Sequence, residues 1–252
     1  MDINWIHSAL LLGVGILAST INVVAGGGSY LTLPLLIFTG LSPTLANGSN
    51  RVGILVGNLV GSWKFARAGQ LRKSDLLYFC LPAALGGVFG AHLATMVDDR
   101  FLRVFLAVLM LFGSWTVIRG SGKSDPTGEP ESPDPKKSFP LFSGVGVYAG
   151  FIQAGTGFFS LAASGSLGYN LKRGNAIKTL MNLFLTVPAL VVFAHRGLVD
   201  WQAGTALAVG MAIGGVLGVK LSQNSKPESL KKMVAAAILV SAVMIIYPLV
   251  KP

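Results

Sequence analysis

Three consecutive glycines, Gly26, Gly27 and Gly28, interrupt a long hydrophobic stretch near the start of the chain. Glycine costs about 1 kcal/mol per residue inside a helix relative to alanine, so three together predict that one helix ends and another begins. A near copy, Gly155-Thr156-Gly157, lies in the second half. Paired helix breaks in two halves of a membrane chain are typical of a transporter's substrate site. The alternative is that the glycines only let helices pack closely.

The composition predicts an all-α, polytopic membrane protein. Hydrophobic residues make up 52% of the 252 residues and charged residues 12%, which is about half the charged share of a typical soluble domain. No stretch alternates as the strands of a membrane barrel do. The net charge of +10 comes from single basic residues in short loops. In a lipid bilayer such residues set orientation, so no nucleic acid partner is predicted.

The hydrophobic runs predict five helical segments in each half of an inverted repeat. They cover 5–25, 29–41, 44–66, 75–97 and 101–119, and then 140–155, 157–169, 174–195, 201–221 and 230–250. The segments 29–41 and 157–169 follow the glycine breaks and span only ~20 Å of a ~30 Å hydrocarbon core. Each is predicted to be a half-helix, either the return limb of a re-entrant hairpin or a tilted, incomplete span.

A segment rich in proline and charge, residues 120–138, separates the two repeats, 1–119 and 139–252. Such a composition predicts a solvated linker. The distribution of lysine and arginine places this linker in the cytoplasm and both termini outside. The two halves then enter the membrane from opposite sides, as an inverted repeat requires.

Polar residues recur on one face of two helices when residues 46–69 are aligned with 174–197. Arg51 and Lys178 belong to these faces, and an ionisable residue in a membrane helix predicts a functional site because its burial is costly. The alternative is that both side chains snorkel to an interface. Basic residues near broken helix ends, together with free N–H groups at helix N-termini, predict a small anionic ligand.

The predicted substrate-binding residues combine the two glycine breaks, the two basic residues and neutral hydrogen-bond donors. For each neutral donor the alternative is a structural hydrogen bond. The predicted set is Gly26, Gly27, Gly28, Ser29, Asn47, Asn50, Arg51, Gln153, Gly155, Thr156, Gly157, Asn175, Lys178, Thr179 and Asn182. The sequence has no residue cluster with metal-ligand spacing and no P-loop, so neither an enzyme nor a cofactor is predicted. Either a monomer or a homo-oligomer is compatible with the sequence.

Four motifs resemble the TauE/SafE family, also called the 4-toluenesulfonate uptake permease family. They are residues 26–36 (GGGSYLTLPLL), 46–50 (ANGSN), the basic stretch 64–69 and 197–201 (GLVDW). The second half departs from the pattern, because Thr156 and Phe158 replace small residues and no proline stands at the place of Pro34.

The resemblance implies a secondary transporter of a sulfur-containing anion, such as an organosulfonate or sulfite, in the bacterial cytoplasmic membrane. Importers and exporters both occur in the family, so a dedicated sulfite exporter is an alternative. An anion channel or a non-transporting membrane scaffold is the alternative from another class.

Overall fold

The computed structural model describes residues 5–24, 26–119, 130 and 133–224. Within this part of the chain all regular secondary structure is helical. Four helical stretches, 5–24, 76–94, 171–195 and 201–222, are long and apolar enough to cross a membrane, so the predicted all-α, polytopic membrane architecture is confirmed. The described helices are α1 Trp5–Val24, α2 Ser29–Phe38, α3 Pro43–Arg67, α4 Leu81–Ala94, α5 Asp99–Arg119, α6 Pro135–Phe151, α7 Thr156–Ser166, α8 Leu171–His195 and α9 Trp201–Asn224, and a π-helical turn, Leu76–Cys80, leads into α4.

Helix α6 differs from its predicted bounds, because it begins inside the segment that the sequence assigns to the linker. Pro135 occupies the first turn and the Asp134 side chain accepts a hydrogen bond from the N–H of Lys136. A proline at the first helical position and an aspartate before it both favour a helix start. The predicted segment 230–250, residue 25, residues 120–129, residues 131–132 and both chain termini lie outside the described residues.

Two helix pairs pack closely through glycine, α1 with α9 and α4 with α6. A Cβ atom on Gly210 would overlap the carbonyl of Leu12, and one on Gly214 would overlap that of Ile16. A contact four residues further along α9 is also four residues further along α1, so the two helices run parallel. Gly86 and Gly90 approach the backbone of α6 in the same way, so α4 and α6 are parallel too. Small residues allow this close approach of helix backbones in membranes.

Helices α3 and α8 pack against each other at the centre, and they run antiparallel. At one end the N–H of Asp200 donates to the Ser49 hydroxyl at 2.8 Å; this end is called the Asp200 face. At the other end Arg173 binds Asp75 at 2.6 Å, and this end is called the Asp75 face. The start of α3 and the end of α8 therefore share the Asp200 face.

The two short helices return the chain to the face from which it came. Helix α1 starts at the Asp200 face, because it runs parallel to α9, which begins one residue after Asp200. Helix α3 starts at the same face, so α2 brings the chain back to it. By the same reasoning α6 starts at the Asp75 face and α7 returns there before α8 begins. Of the two predicted alternatives, this arrangement favours the re-entrant one.

Candidate functional site

The two glycine breaks, 129 residues apart in sequence, contact each other in the fold. A Cβ atom placed on Gly26 would lie 2.6 Å from the Cα of Gly157, and one on Gly157 would overlap Gly26. Gly26, Gly27 and Gly155 have positive φ angles of 79°, 96° and 73°, a region that glycine occupies without strain. The fold therefore brings the predicted glycine residues of the two halves to one place.

Close packing accounts for part of this glycine usage. A Cβ atom on Gly28 would overlap the carbonyl of Ala18 in α1, just as one on Gly157 would overlap the first break. A larger residue at either position would push backbones apart. This packing role is compatible with a ligand site, because the close approach is what places the starts of α2 and α7 beside each other.

Backbone N–H groups at the starts of α2 and α7 have no acceptor in the part of the chain that the structure describes. Among the described residues no hydrogen bond is donated by the N–H of Gly27, Gly28, Gly155 or Gly157, and all four residues are buried. A buried, unpaired N–H group is rare in proteins because it is costly. A helix N-terminus also carries a partial positive charge. Two such ends close together form a place where an anion can be bound.

Arg51 and Asn47 of α3 bind the last carbonyl groups of α6. The Nη2 atom of Arg51 donates to the carbonyls of Ala149 at 3.3 Å and Gly150 at 2.5 Å. The Nδ2 atom of Asn47 donates to the carbonyl of Phe151 at 2.9 Å. The final carbonyls of a helix lack partners within the helix, and a cation there interacts favourably with the helix dipole. These two residues therefore cap the end of α6.

Lys178 and Asn175 of α8 cap the end of α1 in the same manner. The Nζ atom of Lys178 donates to the carbonyls of Asn22 at 2.7 Å and Val23 at 3.0 Å, and to Oδ1 of Asn175 at 2.7 Å. The Nδ2 atom of Asn175 donates to the carbonyl of Val24 at 3.2 Å. Each half of the chain thus supplies a basic residue and an asparagine to the broken helix of the other half.

The interfacial alternative for the two basic residues is wrong, because Arg51 is 0% and Lys178 1% exposed. All three ammonium hydrogens of Lys178 have acceptors in the protein, which leaves none for a ligand in this conformation. Arg51 differs, because its Nε and Nη1 atoms are buried without a partner among the described residues. Direct contact with an anion stays a prediction for both residues, and the geometry favours Arg51.

Asn50 links α3 to the start of α2. Its Nδ2 atom donates to the Ser29 hydroxyl at 3.3 Å, and its Oδ1 atom accepts from the Thr32 hydroxyl at 2.6 Å. Thr32 was not among the predicted site residues, although its position three residues after Ser29 puts both on one face of a helix. These bonds hold the first turn of α2 against α3.

The remaining predicted residues divide into bonded and unpaired groups. The Nε2 atom of Gln153 donates to the Thr186 hydroxyl at 2.6 Å, while Thr156 and Thr179 bond to backbone carbonyls of their own segments. Within the described part of the chain, the Oε1 atom of Gln153 and the Oδ1 atom of Asn182 are buried without a partner. Unpaired buried polar atoms mark a place where a ligand or water completes the bonding.

An ion pair at the Asp75 face was not predicted from the sequence. The Nη2 atom of Arg173 lies 2.6 Å and 2.8 Å from the two carboxylate oxygens of Asp75. Both residues are buried. Asp75 also accepts a hydrogen bond from the backbone N–H of Arg72 at 2.7 Å. The two partners are 98 residues apart, and nothing local in the sequence marks them as a pair.

Comparison with known proteins gives a consistent result. Residues 11–245 match the family described as sulfite exporter TauE/SafE. A probable membrane transporter protein of Haemophilus influenzae is 30% identical over 93% of this chain and 92% of its own length. The probable membrane transporter protein YfcA of Escherichia coli is 30% identical over 94% of this chain and 89% of its own. No solved structure matches the chain significantly.

Proposed function

Because this chain belongs to the TauE/SafE family of membrane transporters, we propose that it is a secondary transporter of a small sulfur-containing anion. The substrate is an organosulfonate or sulfite, and it crosses the bacterial cytoplasmic membrane by alternating access. The observation that carries this proposal is the meeting of two helix N-termini whose buried N–H groups have no acceptor among the described residues.

The distribution of charge supports an anionic substrate. Arg51 and Lys178 are buried at the ends of α6 and α1, where they offset the negative ends of those helices. Within the described part of the chain, the carboxylates lie at helix ends or in the turns before them, at 75, 98, 99, 134 and 200. No negative side chain there opposes the positive ends of α2 and α7, so the field between them favours an anion.

Matching helix contacts in the two halves support an inverted repeat, and an inverted repeat would permit alternating access. The packing of α1 on α9 has a counterpart in the packing of α6 on α4, and that of α3 on α9 has a counterpart in that of α8 on α4. Capping is also exchanged, since α3 caps α6 while α8 caps α1. Each match follows if α1 to α4 correspond to α6 to α9. Two similar halves that enter from opposite faces can exchange conformations, which opens one central site first to one side of the membrane and then to the other.

Counterflow in proteoliposomes tests the transport mechanism. Labelled sulfite, methanesulfonate, sulfoacetate and 4-toluenesulfonate are offered outside vesicles preloaded with the same unlabelled anion. We expect saturable uptake and transient accumulation above equilibrium, because a carrier exchanges substrates. A channel would only equilibrate the label. The absence of saturable flux across the whole panel would refute the proposal.

The sulfite exporter named in the family description is the second candidate. It differs from an importer in the direction of net flux, and the counterflow experiment does not separate these directions. Cells that overproduce the protein should lose preloaded sulfite faster than control cells if it exports. Faster accumulation of external sulfonate by the same cells would instead favour import.

Cysteine labelling tests the orientation that the basic residues of the loop before α4 favour, in which the Asp75 face lies in the cytoplasm. In a background without Cys80, we expect a cysteine at the exposed position 73 of the Asp75 face to be protected from an impermeant reagent in intact cells. A cysteine at the exposed position 96, at the other end of α4, should react. Reaction of both, or the reverse pattern, would contradict a cytoplasmic Asp75 face.

A further inference from the structure

Tyr30 and Phe158 form an aromatic pair between the two glycine breaks. Their ring centroids are 6.2 Å apart and the rings are inclined by 26°. They lie 128 residues apart, the same offset that aligns the polar faces of α3 and α8. Each follows its glycine break within the first turn of a short helix. The pair therefore sits where the two halves meet.

Each ring covers the break of the other half. A Cβ atom on Gly155 would overlap the Tyr30 hydroxyl, and a Cβ atom on Gly27 would lie 3.0 Å from the Phe158 ring. Tyr30 thus reaches from α2 to the N-terminus of α7, and Phe158 reaches from α7 to the first break. The first ring carries a hydroxyl group and the second does not.

The Tyr30 hydroxyl makes no hydrogen bond within the described part of the chain, although the residue is only 1% exposed. A buried tyrosine normally places its hydroxyl on a partner. Here the hydroxyl lies against Gly155, whose own N–H group is also unpaired. An unpaired side-chain donor and unpaired backbone donors thus converge at the start of α7.

We infer that Tyr30 is a ligand-contacting residue whose hydroxyl donates a hydrogen bond to an oxygen of the anion bound at the N-terminus of α7. The Tyr30–Phe158 pair also limits the size of the group that the anion carries. This inference rests on the proposed transport function. It assigns recognition of the anionic head to the hydroxyl and selection by size to the paired rings.

Tyr30→Phe tests the hydroxyl while it keeps the ring. A hydrogen bond to a charged group contributes about 1.5–3 kcal/mol, so the Kd for methanesulfonate should rise ~10- to 100-fold. The melting temperature without ligand should stay within ~2 °C of wild type, because the hydroxyl has no hydrogen-bond partner among the described residues to lose. Titration calorimetry and thermal unfolding of the purified protein measure the two quantities. Tyr78→Phe, which removes a hydroxyl away from the site, is the matched control.

Phe158→Ala tests selection by size. The smaller side chain should raise the affinity for 4-toluenesulfonate relative to methanesulfonate at least tenfold, because space opens beside the anion. An unchanged ratio of the two affinities would overturn the part of the inference that concerns size.

The outcomes separate this inference from the function on which it rests. Wild-type protein that binds no sulfonate or sulfite would refute both. Wild-type protein that binds, with Tyr30→Phe binding equally well, would refute only the role of Tyr30. A Tyr30→Phe protein that melts well below wild type would assign the hydroxyl to a structural bond and would also refute it.

Discussion

Replacement of Lys178 by methionine tests whether this lysine holds the end of α1 or the substrate. Methionine keeps an unbranched, apolar side chain of similar length and removes the ammonium group. In the protein the Nζ atom donates to the carbonyls of Asn22 and Val23 and to Oδ1 of Asn175. All three acceptors would lose a charged donor in a buried place.

The expected loss of stability follows from these bonds. A hydrogen bond to a charged group contributes about 1.5–3 kcal/mol, but three bonds to one ammonium group are not additive. The three acceptors are neutral, so the substitution leaves no unpaired buried charge, and we expect Lys178→Met to cost about 1.5–3 kcal/mol. In a chain of this length 1 kcal/mol lowers the melting temperature by ~2–4 °C. The variant should therefore melt ~3–12 °C below wild type.

Thermal unfolding in detergent measures this loss, and Lys220→Met is the matched control because Lys220 is exposed on α9. The control should melt within ~2 °C of wild type, since surface substitutions usually change stability by less than ~0.5 kcal/mol. A Lys178→Met protein with wild-type stability and a much weaker affinity for sulfonate would refute the capping role. It would instead support direct contact between Lys178 and the anion.

Three further predictions concern the site and its surroundings. Arg51→Met should lower the melting temperature, because Nη2 of Arg51 bonds the last carbonyls of α6. It should also weaken the affinity for sulfonate in titration calorimetry, because Nε and Nη1 have no partner among the described residues; unchanged affinity would exclude a ligand contact. Gly157→Ala should destabilise the fold, because its Cβ atom would overlap the backbone of the first break. The Cβ atom of Gly165→Ala would meet no other atom, so this control should stabilise the fold by about 0.5–1 kcal/mol through its higher helix propensity. Equal melting temperatures for the two variants would contradict this. Arg173→Gln should lose about 3–5 kcal/mol in chemical unfolding, and combination with Asp75→Asn should recover part of that loss; strictly additive losses would show that the ion pair contributes little.

The positions of the short helices could be predicted from the sequence. The predicted segments 29–41 and 157–169 correspond to α2, Ser29–Phe38, and α7, Thr156–Ser166. Helix breaks depend on local features, since consecutive glycines disfavour a helix wherever they occur. The length of a hydrophobic run likewise limits the distance that it can span. Neither feature requires knowledge of what the helix packs against.

The partners of the buried basic residues could not be predicted. Arg51 binds a backbone carbonyl 99 residues away and Lys178 binds one 156 residues away. Every residue carries a carbonyl group, so the sequence contains no mark of which carbonyl a distant side chain will meet. The charged side chains in hydrophobic helices correctly indicated two buried residues that need hydrogen-bond partners. The fold was needed to show that the carbonyls at the broken helix ends are among these partners.

The opposite ends of the broken helices explain why two buried cations lie close to backbone N–H groups that could bind an anion. A break inside a membrane helix exposes carbonyls on one side and N–H groups on the other, and both are costly without partners in a hydrocarbon environment. Lys178 and Arg51, with their neighbouring asparagines, donate hydrogen bonds to the carbonyls at the ends of α1 and α6. The N–H groups at the starts of α2 and α7 have no such side-chain partner among the described residues. A bound oxyanion would satisfy these donors, so the unpaired half of each break is the half on which substrate binding and release can act.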